Sequence, residues 1–572
     1  MTPRELADVS RMSVSELSEL LVAKMWEEHT RTISENSPSQ SSHERVRKVL
    51  QLHDEHVLYL ESIRQCVAGI GAQTRRFSNK QSLLLRMPEE IILNIVAFYV
   101  CAVDCVSEVK SVPYPIPYYS FQRLVKLLSI THICFELRQM CNCSAHLWTK
   151  LDLSWPPALI ETFAERAQNA SLSLRLPILF ESAHTVPGFF RRMLEFLPHF
   201  LNQKMHRLRE LRLVFSDWQG GGAFNYQKIW NAIKDLPAPI LEVFELSTSS
   251  IFQEFRPDHF FGNQAPLLRS IELESCWNQN VNLRAFASLV SLRLELTDPQ
   301  LILSQLRTLP TTLSHCPGLE VLRLYGSQDD TDLVTDPVAP AIQPMVELEH
   351  CISLTMGDFT SDAIVFFLSA VSFPALRHIS VQGAASTTFP FPRLHSTIPS
   401  SLKSQCSSAS RLKFDLYHGK VGAEMRVPKS SVYVAEHGLR SRSSEAQLNM
   451  VNRLLTAPSH ILQARPRYLS FSGDDWETLP EDVYTKETWM EVLSSYPSVQ
   501  RISLSGKIKL ASFLAVLNSR EMCCPELMGM KVAVANRVGD DDWHAIETLL
   551  HHRPNLREVI VDESEQSQSD SE

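Results

Sequence analysis

Nowhere does this 572-residue chain string together the roughly 20 apolar residues that a bilayer-crossing helix needs, and the apolar run that ends at Asp104 stops short of it. Positive charge is also in short supply. With 55 Lys and Arg against 64 Asp and Glu, the net charge is −9, which excludes a general nucleic-acid surface, because neutralising phosphates takes clustered cations. The opening Met-Thr-Pro-Arg-Glu-Leu-Ala-Asp lacks the apolar core of a secretory leader and predicts an intracellular protein, cytoplasmic or nuclear. Twelve cysteines spread over so long a chain, several beside apolar residues, are too dispersed for a disulfide framework and read as reduced, buried small hydrophobes.

The patterns of catalytic and ligand chemistry are missing too. Gly69-x-Gly71 has no third glycine and follows a helical pattern, and Gly220-Gly221-Gly222 opens no phosphate loop, so both read as turns. His132, Cys141, Cys143 and His146 are the nearest approach to a zinc set, but two cysteines separated by one residue point to different faces of a helix. Cys101, Cys105, Cys523 and Cys524 have no neighbouring His paired with an acid. The expectation is a protein that is no enzyme and uses no metal or cofactor.

What is present is core material: 44% hydrophobic and 21% charged residues suit a soluble globular chain of several domains or one long repeat array. Val14, Leu17, Leu20, Leu21 and Met25 are spaced as one helix, followed by a Ser-rich break from Ser34 to Ser42. A second stripe, Val46, Val49, Leu50, Val57, Leu60, Ile63 and Val67, is interrupted by His53 and His56 and predicted to end at Gly69 and Gly71. Two readings of residues 1–80 stand: a short coiled coil that pairs chains weakly, or a helix folded back on the residues C-terminal to it.

From Met87 to Val103 the chain signals a further helix. Pro88 suits a first helical turn, and Glu89 and Glu90 sit where the helix dipole favours carboxylates. Ile91, Ile92, Ile95, Val96, Tyr99 and Val100 recur at helical spacing. On periodicity alone these residues are an ordinary buried helix. Together with Ile133-Cys134, Leu137-Arg138, Met140 and Leu147-Trp148 they resemble an F-box, in the variant common in large fungal families. Met87 replaces the usual Leu, Leu137 a common Trp, and Val112-Pro113-Tyr114-Pro115-Ile116-Pro117 is inserted. The resemblance covers residues 81–155.

Beyond Trp155 the sequence repeats. Pro-x-apolar-x-x-apolar-x-apolar begins at Pro239, Pro266, Pro317, Pro374, Pro497, Pro525 and Pro554, with Pro-less versions at Leu208 and Leu289. The lead apolar positions step by a number in the high twenties, from 241 to 268 or from 527 to 556, and from 319 to 376 by two such steps. That is the period of a leucine-rich repeat, each unit a helix, a Pro-marked turn and a strand stacked on its neighbour. No regular Asn follows the strands, so the array is degenerate. The fold class expected is therefore α plus α/β: N-terminal helices and a helical F-box, then a horseshoe solenoid over residues 156–562. A loop-rich insertion is expected near 390–442, with Arg411–Leu416 and Tyr468–Phe471 as worn repeats and a disordered acidic tail over 563–572.

The family implies a substrate-recognition subunit of a Skp-cullin-F-box ubiquitin ligase. Its partners would be a Skp-type adaptor, a cullin reached through that adaptor, and a target protein, with no nucleic acid or membrane. The resemblance puts adaptor contacts at Met87, Pro88, Ile91, Ile92 and Ile95. The strand residues between the apolar positions, Arg212, Glu245, Glu272, Arg293, Arg323 and Ser380, would face the target. The alternative is a non-catalytic repeat scaffold with a decayed F-box.

Overall fold

The computed structural model describes residues 42–101, 117–176, 187–215, 227–248, 259–277, 281–296, 299–326, 346–359, 361–383, 407–417, 420–427, 430–437, 464–473, 485–506, 510–519, 523–533 and 540–562, with scattered positions between 23 and 34 and between 403 and 459. The Val14–Met25 stripe, most of the Pro-rich insertion and the acidic tail lie outside the described residues. The chain divides into two compact units, one of residues 1–106 and 122–143, the other of 107–121 and 144–572.

The first unit is helical: α1 (Ser42–Lys80), α2 (Glu89–Cys101), α3 (Pro117–Ile133) from residue 122 onward, and α4 (Phe135–Cys143). Helix α1 runs straight through Gly69 and Gly71, which correct the expected stop. Neither adopts the left-handed backbone that ends a helix, and a glycine inside a helix costs only about 1 kcal/mol, which 39 residues of helix can carry. Ile92, Val96 and Val100 on α2 form the core with Leu124, Leu127, Leu137 and Cys141.

The second unit carries eighteen described strands: β1 (Lys150–Asp152), β2 (Leu172–Leu176), β3 (Leu208–Phe215), β4 (Val243–Thr248), β5 (Ser270–Glu274), β6 (Ser291–Glu295), β7 (Val321–Tyr325), β8 (Val346–Glu347), β9 (Ser353–Phe359), β10 (Val371–Ser372), β11 (His378–Gly383), β12 (Arg411–Tyr417), β13 (Lys420–Val427), β14 (Ser430–His437), β15 (Tyr468–Gly473), β16 (Arg501–Gly506), β17 (Gly529–Ala533) and β18 (Glu558–Asp562). Sixteen of them form one sheet in the order β1-β2-β3-β4-β5-β6-β7-β9-β11-β14-β13-β12-β15-β16-β17-β18, while β8 and β10 pair separately. All pairs are parallel except those that β13 makes with β12 and β14.

Alternation dictates this sheet. Successive side chains of a strand point to opposite faces, so the two apolar positions of each motif go inward together. Leu246, Leu273, Leu294 and Leu324 stand opposite one another on successive strands, and Met356 on β9 comes between Leu324 and Val381. The double step from 319 to 376 thus contains β9. This buried ladder continues through Val434, Ala423, Phe414, Phe471 and Leu504, and it faces the helices, where Trp489 meets Phe471 edge-on at 5.2 Å.

Each leading Pro is the exposed second residue of a turn. The residue before it is buried, and its carbonyl accepts from the N–H of the lead apolar residue, as in Ala238 with Leu241, Cys316 with Leu319 and Tyr496 with Val499. Proline pre-sets the backbone angle at that turn position. The region 390–442, expected to be loop-rich, holds the three-stranded meander β12-β13-β14, whose strands alternate like the others but have no leading Pro. The worn repeats at Arg411 and Tyr468 are β12 and β15, hydrogen-bonded side by side.

Candidate functional site

In the helical unit, Met87 is half-buried in an extended conformation after a short 3-10 turn, and its N–H donates to the Leu84 carbonyl at 3.2 Å. The Pro88 carbonyl accepts from Ile91 and Ile92 N–H at 3.0 and 3.2 Å and so opens α2. Beyond that turn the helix is apolar on two faces. Ile92 is 2% exposed and belongs to the core, whereas Ile91 is 46%, Ile95 48% and Phe98 78% exposed. Of the five residues placed at an adaptor contact, Pro88, Ile91 and Ile95 are exposed, Met87 half so, and Ile92 is turned inward. Phe98 and Tyr99, which extend the outward face, were missed, although their spacing of three or four from Ile95 carried the signal. Lys126 Nζ lies 4.7 Å from the Tyr99 ring centre.

The later residues of the F-box pattern part company. Leu137 is core in the helical unit, and Arg138 Nε donates to the Thr131 carbonyl at 2.7 Å. Leu147 and Trp148 belong to the strand-bearing unit, where Trp148 packs edge-on against Phe163 at 4.8 Å with the Arg166 guanidinium 4.4 Å over its ring. Cys141 is buried, and burial and the neighbouring Cys134 push its thiol up to about 11. His146 bonds Ser144 Oγ at 3.0 Å.

On the sheet, all six strand residues assigned to the target fall on one row of the exposed face. Cross-strand register sets Arg175, Arg212, Glu245, Glu272, Arg293, Arg323, Thr355 and Ser380 side by side from β2 to β11. They align because each takes the same place in its motif. Their charges pair along the row. Glu210 accepts from Arg175 at 3.0 Å and from Arg212, which also reaches Glu245 at 3.3 Å, and Arg293 binds Glu272. Burial pushes the Glu210 carboxyl up, but Arg175, a hydrogen bond from Ser173 and Arg212 outweigh it and hold the group below the usual carboxylate range. Glu245 moves the other way, raised by burial and by Glu272.

The next row sets Ser247, Glu274, Glu295, Tyr325 and Gly357 abreast. Burial and the like charge of Glu274 push the Glu295 carboxyl up to about 7. The Arg293 guanidinium stacks 4.9 Å over Tyr325. Glu274, Glu295 and Tyr325 went unread in the sequence because only the middle position of each motif was taken as outward. Further along, where β13 runs antiparallel, Arg411, Lys413, Glu424, Tyr468 and Ser470 line a hollow of about 330 Å³. Among the described residues, no group of three or more His, Cys, Asp or Glu is placed to hold a metal ion.

Comparison with known proteins adds little to this geometry. No family model matches the chain. No curated protein matches it either. Among solved structures, a crystal structure of a TLR13–ssRNA13 complex is similar over 68% of this chain and 44% of its own, with a TM-score of 0.27 at 12% identity. The chain thus spans less than half the length of that structure. Among the described residues, no helix is long and apolar enough to cross a membrane.

Proposed function

We propose that this chain is the substrate-recognition subunit of a Skp-cullin-F-box ubiquitin ligase, with the outward face of α2 docking the adaptor and the charged rows of a leucine-rich-repeat sheet holding the target. The reading rests on one observation: the helix opened by Met87-Pro88 leaves Ile91, Ile95 and Phe98 in water while Ile92, Val96 and Val100 fill the core. An apolar helix face is kept exposed at a cost unless something covers it, and a contiguous patch marks a docking site. The mechanism is proximity. Tethering the target beside a conjugating enzyme held elsewhere in the complex raises the effective concentration of its lysines, and this chain forms no bond itself.

Co-purification with a Skp-type adaptor tests the reading. Each buried side chain of this size contributes about 1.5 to 3 kcal/mol, and a buried carboxylate costs several more. Ile95→Asp with Phe98→Asp should therefore weaken adaptor binding more than about a hundredfold, while the helical signal in circular dichroism stays unchanged. A wild-type chain that retains no adaptor would sink the ligase reading. The scaffold reading would then stand on the paired charges of the sheet face, which need nothing from α2.

A further inference from the structure

Helix α1 carries a second apolar seam, and it is longer than the one on α2. Starting at Val46, the positions Val46, Val49, His53, His56, Leu60, Ile63, Val67, Ile70, Thr74 and Phe77 recur in alternating steps of three and four, which is five heptads. Alternating steps of this kind keep one line of side chains facing a partner helix that has the same 3.5-residue period. Charge is kept off the line: Arg47, Lys48, Asp54, Glu55, Glu61, Arg75 and Arg76 all take outer heptad positions.

Most of the described seam stands in water, with Ile63 and Val67 half-buried. Val46 is 59%, Leu60 43%, Ile70 59% and Phe77 69% exposed, and Leu50 and Val57 on its flank are half-exposed or more. A Cβ placed on Gly69 or Gly71 would meet no atom within 4 Å. At about 1.5 Å per residue the helix is close to 60 Å long, and most of a helix's stability in water comes from packing an apolar face.

We propose that two copies of this chain pair through α1 as a parallel, in-register coiled coil. A second copy is the occupant because the seam is complementary to itself: parallel pairing sets Val46 on Val46, Leu60 on Leu60 and Ile70 on Ile70, and three of its five heptads, those of Val46 and Val49, Leu60 and Ile63, and Val67 and Ile70, are apolar at both seam positions. The positions flanking the seam also suit this pairing. Across a parallel pair they bring Leu52 to Val57, Tyr59 to Arg64, Cys66 to Gly71 and Gln73 to Ser78, and no like charges meet. His53 and His56 each meet their own counterpart in the middle of the seam, and polar layers of this kind fix register and orientation at some loss of stability. The pairing uses no residue of α2, so it is independent of the adaptor reading. It would put two sheet faces in one particle, so that a target with two matching segments is held by avidity.

Sedimentation equilibrium of the full chain at micromolar concentration tests the pairing. The wild type should show twice the mass of the chain. Leu60→Asp with Ile70→Asp, both at exposed positions, should weaken pairing more than a hundredfold without changing the circular dichroism. A monomeric wild type overturns the proposal, whether the seam is bare or covered by the chain's own Val14–Met25 stretch. A dimer that survives the double substitution overturns it as well. Val46→Cys should give an interchain disulfide absent from the wild type, since parallel pairing brings that position onto itself. A dimer in which it does not cross-link would refute the parallel, in-register arrangement.

Discussion

A Cβ added to Gly506 would run into the carbonyl oxygen of Gly473, its register partner at the end of the neighbouring strand. Gly506 has φ +90°, a backbone region that L side chains rarely adopt. Its replacement by Ala therefore combines a clash with strain of up to about 3 kcal/mol. Gly506→Ala should lower the stability of the strand-bearing unit in urea by that amount or more, and a midpoint equal to wild type would show that the strand ends can separate freely.

Glu295 makes part of the stability depend on pH. Its carboxyl is raised from the ordinary 4.5 to about 7 by burial and Glu274, so the folded chain favours the protonated form. The stabilisation is fully present below pH 4.5 and is lost as pH rises through 7. Glu295→Gln should gain melting temperature relative to wild type between pH 5 and pH 8. If the difference between the two proteins is the same at both pH values, the carboxyl titrates normally.

Arg553 is buried, and its guanidinium donates to the carbonyls of Leu517, Cys524 and Cys523 at 3.1, 2.9 and 2.7 Å. It occupies the turn position before Pro554 that elsewhere holds Ala, Cys, Phe or Tyr. Hydrogen bonds to a charged group contribute about 1.5 to 3 kcal/mol each. Arg553→Met should cost roughly 3 kcal/mol or more in the last repeats, and Arg553→Lys should not rescue it because an ammonium lacks the planar fork. Amide hydrogen exchange over β17 and β18 measures the loss, and unchanged protection in the Met variant would contradict this role.

Ile92 and Ile95 should separate folding from docking. Ile92→Ala empties a core position and should cost about 2 to 4 kcal/mol in thermal unfolding of the helical unit, while Ile95→Ala, at an exposed site, should cost less than about 1. Equal costs would mean that the outward face of α2 is packed after all.

The strands were legible because a period of two places both apolar residues of a motif on one face, and Leu273 and Leu294 need no more than that. The alignment of Glu272 with Arg293 was legible for the same reason, since the two hold equivalent places in their motifs. The orientation of α2 was not, because a helix apolar on opposite sides gives periodicity no way to choose between Ile92 and Ile95. The buried residue before each Pro escaped notice because Ala238, Cys316, Tyr496 and Arg553 share a position and no chemistry. The meander was missed although its hairpins are local, Tyr417 pairing with Lys420 and Val427 with Ser430, because no leading Pro marks its strands; its place beside β11, set by pairings such as Ser380 with Tyr433, 53 residues apart, is one that no local pattern records.

That meander also sets how the sheet can assemble. In a stack of parallel repeats, structure spreads from one unit to the next, each step closing only a short loop. Between β11 and β15 the spread is blocked, because the strand beside β11 is β14 and the strand beside β15 is β12. Folding begun at either end must wait there until three strands form together. The expected consequence is that the blocks β1 to β11 and β15 to β18 exchange their amide hydrogens as separate cooperative units, and equal protection across both would contradict it.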